Sequence, residues 1–484
     1  MAVDYDLVVI GASPAGFEAA IAANQAKARV ALVTQGIEPG PIRLGYRALL
    51  EVSHLVSAAE RSHQLGIVDG SAIRLHQVLV QQIQNWQAAV ATAVADHYSL
   101  AVLASKGIEV IASAGAFHRK PRLSFEVDGR SLRSRRYLLA LPSQPQLPPI
   151  LGLRDVSYLS SADLLHKLPA LPPQAHLLVL GATLATVELT QALNILGFQV
   201  TVMIPTLGQT SNYDIEALQF LQTQLEAAGI KVLLQAPITQ VRQLHGKKWV
   251  QAGKTALEAD ELIIVSDFAT PVRHALNLDA IGVAHQGDVP LINPYFQTTN
   301  SKIYDCYGLV AALPAYQISD RHARLAATNA IGLGFAQKPF WSVLPSGSIA
   351  SEPPFAWVGL SETAAKSRYG RDYVVLRRNF VDVQQAQIEG ATEGFCKLVL
   401  RRNGKLVGAS VLGRYAQEWI GIIALAIQQQ IPLQKLHQIA ASDSTFVAIL
   451  PQLAYDWRHQ QLKQNHLHED LLAGWFNWQR GRVK

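Results

Sequence analysis

Apolar and polar positions along this chain follow two periods in turn. Leu7-Val8-Val9-Ile10 is an unbroken apolar run, the pattern of a parallel strand buried on both faces. Phe17 to Ala26 is alanine-rich with helical spacing, and Arg29-Val30-Ala31-Leu32-Val33 returns to a strand. The same unit recurs later. Leu177-Leu178-Val179-Leu180 is a strand and Gly181-Ala182-Thr183-Leu184-Ala185-Thr186 a turn. A helix carrying Glu188, Ala192 and Leu196 follows and ends at Gly197, and Val200-Thr201-Val202-Met203 is the next strand. Gly11 precedes Val30 by 19 residues, and Gly181 precedes Val200 by 19 as well. Two β-α-β units in tandem predict an α/β chain built for two dinucleotides, or descended from one that was.

Between and after these units the pattern predicts further elements. Gln35 to Arg47, with Gly36, Pro39, Gly40, Pro41 and Gly45, reads as a loop. Residues 48–66 and 71–106 have helical spacing, and 108–141 alternates like short strands with a turn at Asp128-Gly129. The proline-rich stretch 142–149 marks a first domain boundary. Glu261 to Val265 is strand-like, and a helix is predicted from about Asp320 to Gly332. Beyond Pro345 come strand patterns at 356–358, 373–377, 396–400 and 407–412, with a long apolar helix at 419–428. The tail from His459 is polar until Trp475-Phe476-Asn477-Trp478, whose aromatics are expected to pack back onto the body sooner than to cover the dimer or a partner groove.

Composition narrows the class. The 484 residues suggest two to four domains, and 49% apolar against 16% charged content excludes a disordered chain. The net charge of +6 is thin for this length. Its densest run, Arg119, Lys120, Arg122, Arg130, Arg133, Arg135 and Arg136, alternates with apolar positions and reads as the solvated edge of a small sheet sooner than as a patch for an anionic partner, so no nucleic-acid partner is expected. Two cysteines, Cys306 and Cys396, make no disulfide framework and fit a reducing, cytoplasmic setting. Asp4 and Asp6 sit in the apolar N-terminus, which reads as strand and helix, not a signal peptide. No apolar run reaches membrane-spanning length, so no membrane partner is expected.

The candidate chemistry lies in the turns. Gly11 opens a tight turn after the first strand, and Gly16 sits where a helix must pack closely on that strand. Such a turn seats a dinucleotide diphosphate on a helix N-terminus. Here Ser13 replaces the middle glycine, with a hydroxyl to offer as a donor, and Thr34 stands where an acid would end the second strand. His466-x-His468-Glu469-Asp470 is not read as a metal site, because alternate residues on a helix face apart.

From about residue 4 to 455 the order of motifs resembles the pyridine nucleotide-disulfide oxidoreductases, the family of dihydrolipoamide dehydrogenase, mercuric reductase and glutathione reductase. Pro354-Phe355-Ala356-Trp357-Val358-Gly359-Leu360, Gly394-Phe395-Cys396-Lys397-Leu398-Val399 and Leu406-Val407-Gly408-Ala409-Ser410-Val411-Leu412-Gly413 are similar to the motifs of its dimerisation domain. The resemblance implies two tandem Rossmann-like dinucleotide-binding domains followed by an α+β dimerisation domain. The expected segments are a FAD-binding domain at 1–150 and 273–344, a NAD(P)-binding-like domain at 151–272, and a dimerisation domain with its tail at 345–484.

Set against the family's motifs, the chain departs at its reactive groups. The loop that carries the family's C-x4-C pair reads Gly36 to Leu50 here and has no cysteine. In the family's "HPT-x-x-E" the histidine position is Asp443 and the glutamate position Ala448, while Thr445 remains. The resemblance implies FAD held by Gly11, Ser13, Pro14, Ala15, Gly16 and Thr34, with Glu188 beside the flavin ring and Arg47 paired to it. Gly308 replaces the family's late aspartate. At the nicotinamide turn Gly181 is kept, but Thr183 and Thr186 replace glycines and Ile204 replaces the ribose-binding acid, which argues against NAD(P). The expectation is a homodimeric FAD-dependent oxidoreductase without a disulfide centre, its electron donor and acceptor unnamed. Two rivals stand beside it: a dimeric pseudoenzyme scaffold with little or no nucleotide binding, and an NAD(P)H diaphorase.

Overall fold

The computed structural model describes residues 3–36, 44–64, 66, 99–141, 144–145, 147–160, 164–172, 174–181, 183–204, 213–234, 237–265, 268–269, 276–287, 289–306, 320–332, 337–439, 442–464 and 466–482, with positions 82, 85–86, 88–90 and 92–93. The chain divides into two compact units, Met1–Leu207 with Ile230–Val343, and Gly208–Gly229 with Leu344–Lys484.

In the first unit, β1 (Tyr5–Ile10) leads into α1 (Pro14–Gln25), which returns along β2 (Val30–Val33). Pro14 opens α1 with the fixed φ that suits a first helical position, and Ser13 caps it. α2 (Leu44–Gln64) fulfils most of the predicted 48–66 helix. Of the predicted 71–106 helix, Leu100–Ser105 is helical, and most of 71–98 lies outside the described residues. Next come β3 (Glu109–Ile111), β4 (Gly115–His118), β5 (Ser124–Val127), β6 (Arg130–Leu132) and β7 (Ser134–Leu139). Asp128 and Gly129, both at positive φ, turn β5 into β6. β4, β5 and β6 form a small antiparallel sheet, and β1, β2, β3 and β7 pair in parallel in a sheet of their own.

The second β-α-β unit is β8 (His176–Gly181), α3 (Leu184–Ile195) and β9 (Gln199–Ile204). β9 pairs with Lys231–Leu234 and β8 with Glu261–Val265, giving a second parallel sheet. α4 (Ile215–Ala227) follows β9 in sequence but clusters with the second unit. β10 (Ile303–Asp305) then returns to the first sheet, whose order is β10-β7-β1-β2-β3, and α5 (Asp320–Ile331) follows.

Both faces of the first sheet are covered, which is why β1 is apolar at successive positions. Leu7 and Val9 meet Ala19, Ala20 and Ala23 of α1 and Ala323, Ala326, Ala327 and Ala330 of α5. Alanine on both helices lets them pack closely against each other. Val8 and Ile10 meet Phe117, Phe125 and Tyr137 on the other face, where Phe117 sits edge-on to both partners with ring centroids 4.9 and 5.2 Å apart. The basic run ties down the rim of this sheet: Arg130 pairs with Glu109, Arg133 with Asp4 and Arg135 with Asp6.

The second unit carries an antiparallel sheet in the order Ser346–Ile349, Phe355–Gly359, Leu406–Leu412, Phe395–Leu400 and Val374–Asn379. α6 (Ala416–Gln428) buries Trp419, Ile420, Ile423 and Ala426 but leaves Leu425 55% exposed. The expected polar tail is helical: α7 (Ile449–Gln464) and α8 (His466–Arg480).

Candidate functional site

The carboxyl edge of the first sheet gathers the candidate residues of the first turn. Gly11 has φ +119°, and a Cβ there would run into the backbone of Ala140, the residue that follows β7. A Cβ on Gly16 would meet the Gly11 carbonyl oxygen. Both glycines are therefore required by the turn itself, which brings the N-terminus of α1 against the end of β1. Thr34, 2% exposed, ends β2 with its N–H bonded to the Ile111 oxygen.

Ser13 has a different role from the expected one. Its hydroxyl donates to the Ala140 oxygen at 2.6 Å and accepts from the Gly16 N–H at 3.1 Å, and the residue is 1% exposed. The hydroxyl is thus spent inside the fold and is no donor to an arriving phosphate. It also takes one of the amides that a helix start offers an anion. Pro14 has no N–H to offer but is exposed, and the Ala15 amide makes no hydrogen bond among the described residues. The turn therefore keeps the close backbone approach a diphosphate needs and one amide, with the positive end of α1 behind them.

Asp305, at the end of β10, passed unremarked in the sequence pattern. It is 4% exposed and lies in register with Leu139 of β7, which is itself in register with Ile10 of β1. A buried carboxylate on this edge stands three residues before Gly308, which lies outside the described residues. Its signal in the sequence was an acid closing the otherwise apolar Ile303-Tyr304 strand.

The second turn is built otherwise. A Cβ on Gly181 would strike Thr186 Oγ1, so the threonine side chain fills the ground beside that glycine. Thr186 and Thr190 are fully buried, and neither hydroxyl has a hydrogen-bond partner among the described residues. Thr183 is the N-cap of α3 but makes no side-chain cap bond. Ile204, wholly buried, closes β9 without a carboxylate. Glu188, 8% exposed, lies on α3, which packs against α2. Arg47 is in the first turn of α2, and its side chain lies outside the described residues.

Neither thiol is available for exchange. Cys306 is fully buried after β10, and burial, helped by the charge of Asp305, raises its pKa well above the usual thiol value. Cys396 is fully buried in the sheet of the second unit, and burial raises its pKa as well. The thiolate is the reactive form, so both are held inert. Where the family's histidine loop aligns, Ser442, Asp443 and Ser444 are exposed, and Thr445 Oγ1 is bonded to the Ser442 oxygen at 2.9 Å. Among the described residues no cluster of His, Cys, Asp and Glu suits a metal ion.

Comparison with known proteins decides the lineage. Residues 5–322 match the family described as pyridine nucleotide-disulphide oxidoreductase, and residues 346–448 match the dimerisation domain of that family. The chain belongs to this family. Its members bind FAD and NAD(P). A mercuric reductase of Staphylococcus aureus is 27% identical over 445 residues, covering 90% of this chain and 79% of that one. A dihydrolipoyl dehydrogenase of Chlamydia pneumoniae is 24% identical, covering 92% of this chain and 95% of its own length. LpdA from Mycobacterium tuberculosis shares the fold with a TM-score of 0.77 at 20% identity, covering 93% of this chain and 99% of that one. The HOCl-induced flavoprotein disulfide reductase RclA from Escherichia coli gives 0.74 at 21% identity over the same shares.

Proposed function

We propose that this family member is a homodimeric FAD-dependent oxidoreductase that has no disulfide step. One observation carries the reading: the diphosphate-type turn at Gly11–Gly16 is intact in its backbone, while both thiols of the chain are sealed in hydrophobic cores. FAD bound here would supply the transfer of electrons between a donor and an acceptor. The Ala15 amide and the α1 dipole would hold its diphosphate, with Gly11 and Gly16 letting the backbone come close. Thr34 is placed at the strand end where a ribose hydroxyl would be bound. By the family resemblance Glu188 would stand beside the flavin ring with Arg47 as its partner, and the helices that carry them pack together.

The second turn does not fit a nicotinamide dinucleotide. Thr186 occupies the space beside Gly181, and Ile204 offers nothing to the ribose hydroxyls. No step is therefore assigned to NAD(P)H, and the donor is a different reductant. The capture of the Gly16 amide by Ser13 favours one second reading, a scaffold of the same family that holds nucleotide weakly.

The chemistry is tested by supplying lipoamide, glutathione disulfide or mercuric ion with either nicotinamide cofactor or a chemical reductant. Turnover at the level of a buffer control is expected with each. Reduction of any of them above that level overturns the reading, and reduction that also survives Cys306→Ser with Cys396→Ser places the active groups elsewhere.

A further inference from the structure

The strongest unassigned feature is α8. Trp475, Phe476 and Trp478 are 54%, 53% and 49% exposed, and the two indoles lie 5.2 Å apart as one aromatic surface. Most exposed apolar residues on a protein occur singly, whereas three large aromatics together need an occupant. The charge beside them says which. The last eight residues, Asn477 to Lys484, carry Arg480, Arg482 and Lys484 and no acid. Arg480 and Arg482 are exposed, and the Arg482 guanidinium lies 4.1 Å over the Trp478 ring. The acids of this helix, Glu469 and Asp470, lie toward its start, and cations that directly follow Trp and Phe match an interface that is apolar below and anionic above. The helix has 15 residues, about 22 Å at 1.5 Å each, too short to cross a bilayer and suited to lie along one. Among the described residues no helix is long and apolar enough to span.

We propose that α8 docks the protein on the surface of an anionic lipid bilayer, with Trp475, Phe476 and Trp478 in the headgroup–acyl boundary and Arg480 and Arg482 on lipid phosphates. This role stands apart from the proposed redox chemistry and does not depend on it. Docking through one short helix is reversible, and it falls with ionic strength as the charge contribution is screened.

The test is flotation of the full chain with vesicles of phosphatidylcholine alone or with one third phosphatidylglycerol. The protein is expected to float with the anionic vesicles at low salt and to stay behind with the neutral ones. Arg480→Gln with Arg482→Gln is expected to lower binding about thirtyfold, at about a kilocalorie per cation. Replacing Trp475, Phe476 and Trp478 by alanine is expected to lower it at least about tenfold. All five positions are exposed near the chain end, and a circular dichroism melt confirms that each variant folds. Equal flotation on both vesicles, wild-type flotation of either variant, or no flotation of the wild type overturns the proposal. A fall in assembly mass in the aromatic variant without any flotation assigns the face to a second copy and overturns it too.

Discussion

At the scale of single residues, long-range partners decide the site. The sequence shows that Ser13 replaces a glycine, but not what its hydroxyl meets, because Ala140 lies 127 positions away. The crowding of Gly181 by Thr186 was legible, since the two are neighbours on one turn and a β-branched side chain has nowhere else to go. His322 on α5 shows a third case. It is 2% exposed, and burial, with Arg321 adding to it, lowers its pKa from 6.5 to about 4. As pH falls from 6.5 the unfolded chain takes up this proton first, so the native state loses stability between pH 6.5 and 4. The full effect is about 3 kcal/mol. His322→Leu cannot take up the proton, so its unfolding free energy is expected to vary less with pH across that window. Parallel pH profiles for the two proteins would show that the imidazole is not held neutral.

At the scale of elements, periodicity was a sound guide wherever one face of a helix or both faces of a strand are buried. Both β-α-β units and four strands of the antiparallel sheet fall within a few residues of their predicted places for that reason, while its edge strand Ser346–Ile349 was not predicted. α8 was legible only in part: His466 to Asp470 read as helix positions, but Trp475, Phe476 and Trp478, expected to pack back onto the body, are exposed. The allegiance of α4 was also hidden: it is fixed by side chains far apart in sequence. Lys397 Nζ lies 3.0 Å from Asp214, the N-cap of α4, 2.7 Å from Glu216 and 3.5 Å from Glu362, and its side chain is only 6% exposed. Burial alone would lower the Lys397 pKa, but Glu216 and Asp214 outweigh it and the net shift is upward. Lys397→Met would leave the buried Asp214 carboxylate without its counter-charge and is expected to cost about 3–5 kcal/mol. Adding Asp214→Asn, which keeps the cap and removes the charge, is expected to restore part of that loss. Urea unfolding of the three proteins measures it. A loss under about 1 kcal/mol for the single variant would mean that the cluster behaves as a solvated surface pair.

At the scale of the whole molecule, the proposal joins a dimeric assembly to an altered reaction centre. Leu425, exposed on α6 within the region that matches the dimerisation domain, would be covered by the second copy in the proposed dimer. Light scattering at micromolar concentration is expected to give twice the chain mass of 52.7 kDa, and the mass of one chain would contradict the dimer. The central claim is that the first turn still holds FAD. Gly16→Val is a poor probe, because the new side chain strikes the Gly11 carbonyl and would unseat α1 whether or not a ligand is there. Pro14→Glu is better: the position is exposed, an acid at a helix start is favourable, and the same charge repels a diphosphate. The most direct measurement is a titration of the purified protein, stripped of any bound flavin, with FAD, followed by absorbance and flavin fluorescence. The account predicts a shifted flavin band and quenched fluorescence, with affinity lowered about tenfold or more by Pro14→Glu. Neither a band shift nor quenching at high micromolar FAD, or equal binding by the variant, would contradict it.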